Sequence, residues 1–119
     1  MFKGGIILII AMPTVNKKLC AHFGHCESFA LVEVDENDKK ILKTDYVVAP
    51  AHEPGILPVW LHEQGASKVI AGGMGQRAQT IFRSNNIEVI TGVPSDTPEN
   101  IVGAYLKGEL SSGENLCDH

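Results

Sequence analysis

The chain is poor in the features that mark several large protein classes. It has three cysteines in 119 residues, an odd and sparse set. A disulfide-stapled secreted scaffold shows a denser, even set, so reduced thiols in a cytoplasm are the expectation. Aromatic residues make up 6% and charged residues 20% of the chain, and no Lys/Arg cluster occurs. The net charge is −4. Nucleic-acid affinity comes mostly from neutralising phosphates, so no nucleic-acid partner is expected, and an anionic membrane surface is equally unsuited. No apolar run approaches the ~20 residues of a membrane-spanning helix. The longest, Ile6-Ile7-Leu8-Ile9-Ile10-Ala11-Met12, follows Lys3 but precedes Asn16-Lys17-Lys18 rather than a small-residue cleavage site. It therefore reads as a buried strand and not as a targeting signal.

The hydrophobic fraction of 44% is that of an ordinary globular domain. Residues 1–108 are expected to form one domain, with 109–119 a flexible tail carrying Cys117 and His119. The first half reads as strands. Residues 6–12 are apolar on both faces, and residues 29–34 alternate, with Phe29 and Leu31 on one side and Ala30, Val32 and Val34 on the other. Asp35-Glu36-Asn37-Asp38 is a polar turn, so the strand over residues 41–49 should pair antiparallel with its predecessor.

The second half changes period. Ile56, Leu57, Trp60 and Leu61 have helical spacing, with Gly65 at the C-terminal cap. A strand over 68–71, a helix over 75–84 and a strand over 87–90 follow. Thr97-Pro98-Glu99 opens a last helix with an N-cap, a first-position proline and an acid near the positive end of the dipole, and Gly108 closes it. The order β-β-β-α-β-α-β-α predicts an α/β fold with a mixed five-stranded sheet and helices on its faces. One sheet edge stays exposed, which is compatible with a monomer or a weak homodimer.

Two groups of residues are suited to chemistry. Cys20, His22, His25 and Cys26 fall within seven residues, and Cys117 and His119 sit at the end of the chain. Thiolates and imidazoles suit iron–sulfur clusters and soft metals, although no C-x2–4-C zinc pair is present. The alternative is that the histidines are ordinary loop residues, Cys20 a packed small side chain, and the tail an exposed end. The second group is Gly72-Gly73-Met74-Gly75 between a strand and a helix. Bare backbone and a helix N-terminus suit an anion, and Arg77 in the first turn would reach it. The alternative is a tight turn needed only for packing, with Arg77 on a solvated face. Gly73-Met74-Gly75-Gln76-Arg77-Ala78 matches G-x-G-x-x-A, but it begins after about 70 residues and no acid ends the following strand, so a dinucleotide is not expected. No nucleophile elbow surrounds Ser28 or Ser67, and the first strand carries no carboxylate. No enzymatic activity is therefore expected.

His22-Phe23-Gly24 with the Leu31-Val32-Glu33-Val34 strand resembles the dinitrogenase iron–molybdenum cofactor biosynthesis family, the NifX/NifB-like group. The stretch from Gly55 through Gly72-Gly73-Met74-Gly75-Gln76-Arg77-Ala78, and Tyr105-Leu106-Lys107-Gly108 before a Cys/His tail, carry the same resemblance, which spans roughly residues 5–110. It implies a ribonuclease H-like α/β fold without nuclease activity. It also implies binding of an iron–sulfur or molybdenum-containing metal–sulfur cluster, passed between donor and acceptor proteins. His22, Phe23 and Gly24 would form one wall of the site and Gly72, Gly73, Met74 and Gly75 the other, with His52 a further ligand. The competing expectation is a regulatory or small-anion-binding module that holds no metal.

Overall fold

The first strand, β1 (Ile7–Val15), is built from Ile7-Leu8-Ile9-Ile10-Ala11-Met12, whose β-branched and aliphatic side chains suit a sheet flanked on both faces. The computed structural model describes residues 7–20, 28–48 and 56–110. After β1 come β2 (Lys18–Leu19), β3 (Ser28–Asp35), β4 (Lys40–Val48), α1 (Ile56–Glu63), β5 (Ala66–Ile70), α2 (Gln76–Ser84), β6 (Glu88–Ile90) and α3 (Pro98–Leu106). The sheet runs β4-β3-β1-β5-β6, with β2 paired to β1 alone. The meander β1-β3-β4 is antiparallel throughout, while β1-β5 and β5-β6 are parallel.

This is the mixed α/β architecture expected, with one correction. The sheet has six strands, not five. The first strand does not stop at Met12 but continues through Pro13 to Val15 and folds back into β2. The turn residues Asn16 and Lys17 both have positive φ, 55° and 62°. That pair of dihedrals matches the right-handed twist of the strands it joins. A two-residue strand has no hydrophobic period, so it left no signal to read.

Alternation along β1 and β3 splits the core between the two faces. Ala11, Phe29, Val69 and Ala71 meet Leu57 and Leu61 of α1 and Phe82 of α2. Ile10, Met12, Ala30, Val32 and Ile70 meet Ile101, Val102 and Leu106 of α3. Phe29 is fully buried and its ring meets that of Trp60 edge-on, with centroids 5.8 Å apart. Each fully buried Leu, Ile, Val or Phe contributes about 1.5–3 kcal/mol.

The ends of the elements follow the expected chemistry. Asp35 Oδ1 accepts from the backbone N–H groups of Asn37 and Asp38 at 2.9 and 3.1 Å, which closes the β3-β4 turn. Gly65, at φ 88°, ends α1. Thr97 Oγ1 accepts from Asn100 N at 3.3 Å and caps α3, and Gly108, at φ 73°, follows its end. Leu110 packs against the α3-side core. Among the described residues no helix is long and apolar enough to cross a membrane.

Candidate functional site

The topology gathers four strand ends at one edge of the sheet. β1, β5 and β6 are parallel, and β4 points the same way because two antiparallel pairings separate it from β1. Val15, Val48, Ile70 and Ile90 therefore end at a common carboxyl edge, and Ser28 starts there. From β1 the chain proceeds to β3, and from β5 it proceeds to β6 on the other side. In open α/β sheets such a reversal marks the crevice, outside the carboxyl ends, where ligands bind, and here it falls between β1 and β5.

One wall of that crevice is the β1-β2 hairpin. Pro13 has no N–H to donate, but its carbonyl accepts from Cys20 N at 2.8 Å. On its outer side Leu19 N donates to Asp96 O at 2.8 Å, and Ser95 Oγ donates to Leu19 O at 2.7 Å. These bonds fix Cys20 at the end of β2, where it is buried in the cluster that holds Phe29, Leu57 and Met74. Thr14, fully buried, donates from Oγ1 to Ser28 O at 3.0 Å and ties β1 to the residue where β3 begins.

The opposite wall is the Gly72–Gly75 turn. Strand-like pairing continues past β5 and β6: Ala71 N donates to Ile90 O at 2.8 Å and Gly92 N to Gly72 O at 2.8 Å. Positive φ falls on Gly92 (78°) and not on the Gly72–Gly75 run, so the run is not there to supply left-handed backbone. Gly75 is the N-cap of α2, with φ −63° and ψ 154°, and no side chain caps the helix. A Cβ at Gly75 would meet nothing within 4 Å. The first turn of α2 contains no acidic residue, and Arg77 lies exposed in it. This is a positively polarised helix end, and among the described residues no side-chain cap is bonded to it.

Sequence reasoning missed the residue that positions this turn. Gln79 is 6% exposed, and its Nε2 donates to Met74 O at 2.9 Å. Arg83 donates to Gln79 Oε1 at 3.3 Å. The available signal was a glutamine between Ala78 and Phe82 on the apolar face of α2. Met74 itself is 1% exposed and its side chain belongs to the core, so its contribution to the crevice is through its backbone.

At the rim, Asp96 is held below the usual carboxylate range. The Asn100 side-chain amide is the main cause, followed by Thr97 N–H and the nearby Lys18 charge. Its Oδ1 accepts from Thr97 N at 2.7 Å and Asn100 Nδ2 at 3.0 Å.

Of the sequence-derived site residues, the structure brings together Cys20, Gly72, Gly73, Met74, Gly75 and Arg77 on elements that end at this edge. His22, Phe23, Gly24, His25, Cys26, His52, Cys117 and His119 lie outside the described residues. Among the described residues, Ser28 begins β3 and Val48 ends β4 at the carboxyl edge. Among the described residues no group of three His, Cys, Asp or Glu side chains is placed to hold a metal ion.

Comparison with known proteins gives a consistent relationship. The family model described as dinitrogenase iron-molybdenum cofactor matches residues 6–108. An uncharacterized protein of Methanocaldococcus jannaschii is 25% identical over 114 residues, covering 91% of this chain and 93% of that one. The crystal structure of the protein PH0822 superposes with a TM-score of 0.80 at 28% identity, over 88% of this chain and 94% of that one. The apo form of the orange protein from Desulfovibrio gigas gives a TM-score of 0.66 at 21% identity, over 90% and 93% of the two chains, a likeness of fold.

Proposed function

The chain belongs to the dinitrogenase iron-molybdenum cofactor family, and from that premise we propose that it is a non-catalytic carrier of an iron–sulfur or molybdenum-containing metal–sulfur cluster. The cluster is cargo, received from a donor protein and passed to an acceptor in metallocluster assembly or metal handling in the cytoplasm. The observation that carries this reading is the reversal of strand order between β1 and β5. The N-terminus of α2, with no side-chain cap at Gly75, opens at the carboxyl edge; β3 begins and β4 ends there, and His22, His25, Cys26 and His52 lie outside the described residues. The strand order β4-β3-β1-β5-β6 also supports the ribonuclease H-like label that the resemblance carries.

The division of labour follows from the chemistry of each wall. Sulfide-rich clusters are anionic, so the N–H groups that open α2, with Arg77, complement their charge without forming covalent bonds. Thiolate and imidazole ligands supply the bonds to metal: His22 and Cys26 first, with His25, His52, Cys117 and His119 as further donors. Cys20 is the only one of the candidate thiols among the described residues, and its burial makes ligation there require a local opening of the hairpin. A carrier must release its cargo, which favours few covalent ligands. The first strand carries Thr14 but no carboxylate, which supports a role without hydrolytic metal chemistry.

The uncapped α2 end also supports a second reading, a regulatory module for a small anion. Anaerobic reconstitution with iron and sulfide, with and without molybdate, separates the two. A visible chromophore that survives desalting, with thiols shielded when loaded and reactive when empty, is the carrier result. Loss of all metal on desalting, together with unchanged thiol reactivity, is the result of the anion module.

A further inference from the structure

We propose that the protein self-associates through β4, two copies pairing antiparallel about a two-fold axis at Thr44, so that Lys43 of each copy faces Asp45 of the other. The strand β4 closes one end of the sheet, and among the described residues no strand pairs with its outer side. It is nine residues long, whereas the opposite edge strand, β6, has three. It holds no proline, and its exposed side chains include Leu42 (44%), Tyr46 (37%) and Val48 (78%). A long edge without proline and with exposed apolar side chains is a template for another strand.

The charges choose both the occupant and the register. Two copies forming one continuous sheet keep their faces aligned, so residues directly opposite must share a face, and the symmetry axis must pass through a residue. An axis at Lys43 sets lysine against lysine. An axis at Asp45 sets aspartate against aspartate. The axis between them, at Thr44, sets Lys43 against Asp45 twice at the centre of Lys40–Val48. Like charges directly opposite destabilise a ladder and opposite charges stabilise it, so the strand is self-complementary in one register and repelled in the two adjacent ones. Lys43 and Asp45 already share a face, with Nζ 3.3 Å from Oδ2, and both remain more than half exposed and open to a second partner.

The register between β3 and β4 shifts at Glu33/Val34, which leaves Leu42 as an extra residue in β4. That bulge limits the regular pairing, so the interface is small and the dimer weak, with a dissociation constant of roughly 100 µM. The partner's β4 runs the opposite way, so the two carboxyl edges lie at opposite ends of the joined sheet and both crevices stay open.

The test is sedimentation equilibrium of the full chain from about 10 µM to 1 mM, a range that brackets that constant. Wild type is expected to show a reversible monomer–dimer equilibrium. Lys43→Asp and Asp45→Lys each weaken it roughly tenfold, because each change acts at two symmetric pairs, and the double swap K43D/D45K restores it. A wild type that stays monomeric throughout, or a dimer indifferent to the single reversals, overturns the proposal. A second variant, Thr44→Cys, places a thiol on the symmetry axis. Mild oxidation should give a disulfide-linked dimer above the wild-type level, and its absence counts against the register.

Discussion

Replacing Gly75 with aspartate separates the two demands placed on the start of α2. Gly75 already has the extended dihedrals of an N-cap, φ −63° and ψ 154°, and a side chain there meets nothing within 4 Å. Aspartate therefore enters without strain and accepts from the N–H groups of the first turn. Three contributions favour the folded variant: a few tenths of a kcal/mol for the better cap, about 0.4–1 kcal/mol for reduced chain entropy in the unfolded state, and about 0.3–1 kcal/mol for a negative charge at the dipole's positive end. They sum to about 1–2 kcal/mol. With an unfolding entropy near 2.1 cal/mol/K per residue, each 1 kcal/mol raises the melting temperature of this 119-residue chain by about 4 °C. The new carboxylate occupies the donors assigned to the anionic cargo and repels it. Gly75→Asp should melt about 4–8 °C higher than wild type and retain little iron after reconstitution and desalting. Scanning calorimetry and metal-to-protein stoichiometry read the two effects separately. A variant that is stabilised and still fully loaded would refute the assignment of α2's N-terminus to the cargo. A variant that is destabilised would refute the capping geometry itself.

Three further outcomes follow from the same structure. Lys17 holds φ 62° in the β1-β2 turn, where glycine carries no steric cost after Asn16, so Lys17→Gly should stabilise the domain by about 0.5–1 kcal/mol in urea unfolding. Thr97→Ala removes the α3 cap seen at Asn100 N and should cost about 1 kcal/mol in the same assay. Asp96 titrates below its ordinary value because Asn100, Thr97 N–H and Lys18 favour its charged form. Its folded pKa is depressed, so its contribution is complete above the unfolded value and disappears as pH falls through the folded one. Unfolding curves measured downward from pH 5 should show a shallower acid limb for Asp96→Asn than for wild type.

Much of the fold was legible because its signals are local. Alternation at Phe29–Val34, the Thr97-Pro98-Glu99 cap and Gly65 each name their own structure, and each element lies where expected. The β1-β2 hairpin was not legible. Two residues carry no period, Pro13 argues against an extended strand, and Lys17 at positive φ is no turn signal. Pro13 is tolerated because its carbonyl takes the Cys20 N–H, a bond invisible in sequence. The glycine turn was legible as a turn between strand and helix, but its positioning by Gln79 was not, because a lone polar residue on an apolar helix face does not name its partner. Spacing also said little about which cysteine is accessible. The structure buries Cys20 with Phe29 and Leu57, and Cys26 and Cys117 lie outside the described residues.

The most direct test of the carrier account is the metal content of the double variant His22→Ala/Cys26→Ala. Wild type and variant would be reconstituted anaerobically with iron and sulfide, desalted, and compared by visible absorption and metal-to-protein ratio, with circular dichroism to confirm folding. The account predicts a folded variant with no retained chromophore beside a loaded wild type. A folded variant carrying the full wild-type metal load would contradict it.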